Sequence, residues 1–148
     1  MRRIIDNDWL SLLLRLAVGV TFIYASYYKI IDPTAFAKSI WYYHLVPGGL
    51  INLAALIIPW VELLAGLALI LGIHYRGAVL LVNALTVVFI LALASAIARG
   101  LSIECGCFKA GATATKDAWN SLFFDLGLLA CTLWLLASRS RKWMTAAR

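Results

Sequence analysis

Two cysteines one residue apart, in Glu104-Cys105-Gly106-Cys107-Phe108, are the residues whose type and spacing most readily do chemistry. Thiols so placed join only if the backbone bends between them, and glycine is the residue type that permits such a bend. A disulfide in so small a ring is strained, and a strained, exposed disulfide is more oxidising and more labile than a structural one. Three chemistries are open: thiol–disulfide exchange, a static disulfide that fixes a loop, and soft-metal binding. Closing so short a loop stabilises little in the chain-entropy picture, which counts against a purely structural bond. Paired thiolates suit Cu(I) or Zn(II). His44 would then be a third ligand and Glu104 a weak fourth, where a closed zinc site wants four. Redox exchange is the leading reading, and the metal site formed by Cys105, Cys107 and His44 is the alternative. Arg99, Lys109 and Lys116 favour a thiolate here, while Glu104 opposes it.

Three ionisable residues stand out because their neighbours are apolar: Arg15, Glu62 and Asp125. Charged groups inside a bilayer are costly and point into the bundle. Arg15 and Glu62 differ in depth by about 6 Å at the helical rise, a gap a long side chain spans. The expectation is a buried Arg15–Glu62 pair that fixes helix register, with Asn83 in support. Asp125 lies about two turns below the end of its span, beneath the cysteine loop. It is a candidate relay for the protons that accompany thiol oxidation, with a hydrogen-bonded core carboxyl as the plainer reading. Lys29 is the nearest base. Cys131, deeper in the same span, reads as a small core residue.

The elements that must position these groups are membrane helices. Of the 148 residues, 64% are hydrophobic and only 14% charged, and the mean hydropathy is +0.90. Soluble domains are about half apolar and about a quarter charged. A membrane-spanning helix needs about 20 mostly apolar residues, and four such runs occur, over 9–28, 53–73, 78–98 and 119–138. The expected fold is therefore an all-α membrane protein, one four-transmembrane-helix bundle over 1–148. The net charge of +6 is not gathered into an aromatic-interleaved patch, so no nucleic-acid partner is expected. The segments 1–8, 74–77 and 139–148 hold seven Lys or Arg in 22 residues, against five in 44 for 29–52 and 99–118. The positive-inside rule places both termini in the cytoplasm and the cysteine loop outside. A basic start raises the possibility of a signal peptide, but Asp6, Asp8 and Arg15 and the length of the run favour a retained helix.

The first outward loop has its own order. Asp32-Pro33 has the form of an N-cap with proline in the first turn. A short interfacial helix is expected over 34–45, ending before Pro47-Gly48-Gly49. Its Trp41, Tyr42 and Tyr43 suit the membrane interface. They are also weak candidates to bind a quinone ring beside the cysteines.

Taken in order, these motifs resemble the MauE branch of the MauE/DoxX family of redox-associated membrane proteins. The likeness runs from Arg15-Leu16-Ala17-Val18-Gly19 through Lys29-Ile30, Asp32-Pro33 and Phe36-Ala37. It continues in Pro59-Trp60-Val61-Glu62-Leu63, Gly66 and Leu71-Gly72, and ends in Cys105-Gly106-Cys107-Phe108. The resemblance implies a multi-pass protein of the bacterial inner membrane, tied to methylamine metabolism. It implies that Cys105 and Cys107 are the redox pair of a thiol–disulfide oxidoreductase, that its partner is a thioredoxin-like periplasmic protein, and that it assists maturation of a methylamine dehydrogenase-type protein. A quinone is the only cofactor in view. A membrane scaffold with a structural disulfide and a soft-metal binding protein are the competing readings.

Overall fold

The computed structural model describes residues 8–100 and 114–137, with side chains described for 9–100 and 119–137. Five helices follow one another: α1 (Asp8–Ile31), α2 (Pro33–Tyr43), α3 (Gly48–Leu71), α4 (Tyr75–Ala98) and α5 (Ala114–Ala137). There is no strand among the described residues. Four of these helices are long and apolar enough to cross a membrane, over Trp9–Ile31, Gly48–Leu71, Tyr75–Ala98 and Trp119–Ala137. The expected all-α, four-span architecture is the one observed.

Local chemistry sets the breaks. The Asp32 carboxylate accepts from the Ala35 N–H at 3.1 Å and the Thr34 hydroxyl at 2.6 Å, and Pro33 opens α2. These bonds, the Thr34 hydroxyl first, hold Asp32 below the usual carboxylate range. The cap is therefore fully formed above the ordinary aspartate pKa and is lost as pH falls through the lowered one. His44 ends α2 in the left-handed region (φ 49°), short of the expected boundary at residue 45. Pro47 then starts α3 directly, five residues before the expected start, because an initial turn tolerates a missing N–H and two glycines. Gly72 ends α3 with φ 71°, its N–H on the Ala68 carbonyl. That left-handed cap stops the helix two residues before the expected end.

The four long helices close a ring: α1 packs on α3, α3 on α4, α4 on α5 and α5 back on α1. The central core is formed by Val18 and Phe22 of α1, Ala65 and Leu69 of α3, Val79 and Val82 of α4, and Leu135 of α5. Outward faces carry Leu13, Leu56, Leu64, Val88, Leu91 and Phe123 with more than half of each exposed, which suits a lipid surround. The α1–α3 contact is the tightest. A Cβ added to Gly66 would meet the Gly19 carbonyl oxygen at 2.9 Å, and one on Gly19 would meet that of Gly66 at 3.0 Å. Small residues bring membrane helices this close. Gly66→Val is expected to force the backbones apart and cost about 1–3 kcal/mol, the usual range for overpacking, read by thermal unfolding in detergent.

α2 lies where α1 has already ended. Its Phe36 and Ile40 pack on Ile51 and Ala55 of α3, with Phe89 of α4 beside them. It thus roofs one end of the bundle, the end at which α4 finishes with Ala98.

Candidate functional site

Beneath that roof lies a buried ion pair. Lys29, in the last turn of α1, donates from Nζ to both carboxylate oxygens of Glu62, at 2.8 and 2.9 Å. The side chains are 1% and 2% exposed. The same Nζ sits 4.2 Å from the ring centre of Phe89 and 4.9 Å from that of Phe36. A desolvated ammonium gains from such faces as well as from its carboxylate. Each group has an evident source: α1 supplies the base at its C-terminal end, α2 one ring, α3 the acid and α4 the other ring.

The expected Arg15–Glu62 pair is therefore corrected. Arg15 instead donates to the Leu69 carbonyl from Nε at 3.1 Å and Nη2 at 3.0 Å, with the Ile70 carbonyl 3.5 Å from Nη2. Its guanidinium lies 5.3 Å from the Tyr75 ring centre, and the Tyr75 hydroxyl donates to the Leu135 carbonyl at 2.8 Å. The reason is register. The Gly19–Gly66 contact sets the levels of α1 and α3. Arg15 lies one turn from it in one direction and Glu62 one turn in the other, about 12 Å apart along the axis. Arg15 is thus level with the C-terminal end of α3, where the last carbonyls lack intrahelical donors. Asn83 does not support Glu62 either. Its Oδ1 accepts from the Thr132 hydroxyl at 2.8 Å and its Nδ2 donates to the Val79 carbonyl at 2.9 Å, which ties α4 to α5.

Asp125 of α5 is 9% exposed. It lines a cavity of about 30 Å³ together with Lys29, Glu62, Thr86, Phe89 and Phe124. That volume admits about two water molecules. The carboxyl expected to act as a proton relay thus shares one space with the ion pair. Phe36 and Phe89 were not foreseen as part of this site. Both look like ordinary core rings in sequence, and only Lys29 beside Asp32-Pro33 hinted that a charge would lie under the next helix.

The remaining candidates divide. Cys105 and Cys107 lie outside the described residues, and so does Glu104. Trp41 and Tyr42 are 55% and 54% exposed and do not line the cavity. His44 is exposed, its ring centre 6.0 Å from that of Trp41. No cluster of three or more His, Cys, Asp or Glu side chains able to hold a metal occurs among the described residues. Cys131 is a free thiol, half-buried, and packs against the central core. One hydrogen bond links the roof to the end of α4: Arg99 Nη1 donates to the Tyr43 carbonyl at 3.2 Å. It pins the end of α2 to the first residue after α4.

Comparison with curated proteins and with solved structures found no match. A protein-family model does match, that of methylamine utilisation protein MauE, over residues 7–138. The matched stretch takes in all four spans, the Lys29–Glu62 pair, Asp125 and the Cys-Gly-Cys-Phe segment. A match over nearly the whole chain, on a fold of four apolar membrane-crossing helices, makes this protein a member of the MauE family.

Proposed function

We propose that this protein is a membrane thiol–disulfide redox protein whose Cys105 and Cys107 exchange electrons with a thioredoxin-like partner on the outer face of the bacterial inner membrane. The observation that carries the reading is the family match, which extends through the Cys-Gly-Cys-Phe segment. The family description supports a role in methylamine utilisation, and maturation of a dehydrogenase of that pathway is the role this reading gives it. Loop charge places both termini in the cytoplasm and the cysteine segment outside.

The chemistry balances without any further reagent. A thiolate of the pair attacks one sulfur of the partner's disulfide, forming a mixed disulfide and releasing the partner's other sulfur as thiolate. The second cysteine then attacks its neighbour's sulfur. A Cys105–Cys107 disulfide forms, the partner leaves as a dithiol with two electrons, and the thiol protons end on the partner's sulfurs. The reverse sequence delivers a disulfide to a reduced partner. A lipid-soluble quinone is the other acceptor consistent with the membrane setting. It would take two electrons and two protons to become a quinol, with Asp125 as the relay for those protons.

Single substitutions separate this reading from its rivals. Cys105→Ser or Cys107→Ser removes the resolving step in one of the two variants. That variant is expected to accumulate a mixed disulfide with a thioredoxin-like protein, seen on non-reducing gels and absent from the double variant. Wild-type function in both single variants, with no trapped species in either, would leave only a scaffold. Copper or zinc bound stoichiometrically by the wild type and lost from both would instead support the site formed with His44.

A further inference from the structure

Two apolar cores share α3 and divide it at one residue. The outer core joins Phe36 and Ile40 of α2 to Ile51 and Ala55 of α3. Beyond α2, the turn after it and α3 up to Ile58, it includes only Phe89 of α4 among the described residues. The central core takes Ala65 and Leu69 from the same α3, and no described residue belongs to both cores. Pro59 stands between the two sets, inside α3 and fully buried. It has no N–H for the carbonyl four residues back, so the helix lacks one bond there and bends most easily at that point. The polar layer lies at the same level. On α3 Glu62 falls between Ala55 and Ala65, and on α4 Thr86 falls between Val82 and Phe89. Both line the cavity with Lys29.

The other chain link between this outer unit and the bundle is also a break. Asp32, between α1 and α2, is not helical (φ −126°, ψ 78°). Side chains hold the unit down. The Phe36 ring faces the Lys29 ammonium at 4.9 Å, Phe89 packs into the outer core, and Arg99 donates to the Tyr43 carbonyl at the end of α2. We propose that α2 and α3 as far as Ile58 form a lid that rocks about Asp32 and Pro59, with Arg99 as its latch, and so opens the layer of Lys29, Glu62 and Thr86 to water. Neither member of the ion pair is on the lid, so the pair stays closed as the lid moves. The ammonium exchanges one ring face for water, which hydrates such a point charge strongly. The lid goes beyond the thiol reading and does not rest on it.

Pulsed dipolar spectroscopy of the full chain in lipid vesicles tests it. Spin labels go on Lys38→Cys, exposed on α2, and on Asn120→Cys, exposed near the start of α5. α5 supplies no described residue to the outer core, so it serves as the fixed frame. The native thiols are removed by Cys105→Ser, Cys107→Ser and Cys131→Ala. From Pro59 to Gly48 is a lever of about 16 Å, and a tilt of about 20° moves its end by about 6 Å. The labelled chain is expected to show two distance populations separated by about that much. Adding Arg99→Met should enrich the longer distance about two- to tenfold, the effect of losing one hydrogen bond. Adding Pro59→Ala, which supplies the missing N–H, should leave the shorter distance alone. One narrow distance in all three chains overturns the proposal. So do two populations that neither substitution redistributes. Should Pro59→Ala fail to assemble, Arg99→Met decides by itself, and an unchanged distribution there overturns the lid. No thiol takes part, so failure of the redox reading leaves every one of these outcomes as it is.

Discussion

Replacing Lys29 with methionine is expected to destabilise the bundle by about 3–5 kcal/mol, the range for removing one member of a buried ion pair. Lys29 is the only donor to both Glu62 oxygens among the hydrogen bonds described. Without it the Glu62 carboxylate, 1% exposed, is left in the apolar interior without its cation. Taking up a proton at pH 7 relieves the charge. Holding a proton on a group of ordinary glutamate pKa costs about 3.7 kcal/mol at that pH, at 1.36 kcal/mol per unit. The loss should therefore shrink as the medium is acidified, since a protonated Glu62 needs no cation. The double variant Lys29→Met/Glu62→Met should regain most of the loss, because well-packed apolar residues replace buried pairs at little cost. Thermal unfolding in detergent at two pH values measures all three. A single variant as stable as wild type at neutral pH would mean that the pair is not formed in the folded protein.

Arg15→Met is expected to cost about 2–6 kcal/mol, from about 1–3 kcal/mol for each of two acceptors left without a donor. The acceptors are the Leu69 and Ile70 carbonyls in the last turn of α3. In hydrocarbon no water replaces the lost donor. The Tyr75 ring also loses its cation, although its hydroxyl stays on the Leu135 carbonyl. Arg15→Lys should recover only part of the stability. A point-charge ammonium does not reproduce the planar fork that reaches two adjacent carbonyls. Full recovery by lysine would show that charge alone, and not the geometry of the cap, matters at this position.

Much of this was visible in the residues. Apolar run length gave the four spans, since a helix that crosses lipid has no amphipathic stripe to obscure it. Asp32-Pro33 announced α2, because a cap and a proline act within one turn. The burial of Arg15, Glu62 and Asp125 followed from their apolar neighbours. What failed was pairing. Depth was counted from the edges of the apolar runs, and those edges are not level with one another. The Gly19–Gly66 contact puts Arg15 and Glu62 about 12 Å apart along the axis, and Lys29 takes the place of Arg15 as the partner of Glu62. The register is set by backbone contact between Gly19 and Gly66, and a lone glycine in an apolar run carries no such signal. The ring cage of Phe36 and Phe89 was equally hidden, because it joins two helices that are far apart in sequence.

The central claim is an outward-facing redox pair at Cys105 and Cys107 on a four-helix mount. Labelling of intact spheroplasts with a membrane-impermeant thiol reagent, before and after reduction, tests it most directly. Redox cycling at the outer face predicts that both cysteines are modified after reduction and protected while oxidised, with Cys131 unlabelled in either state. Absence of labelling at Cys105 and Cys107 even after reduction would contradict it.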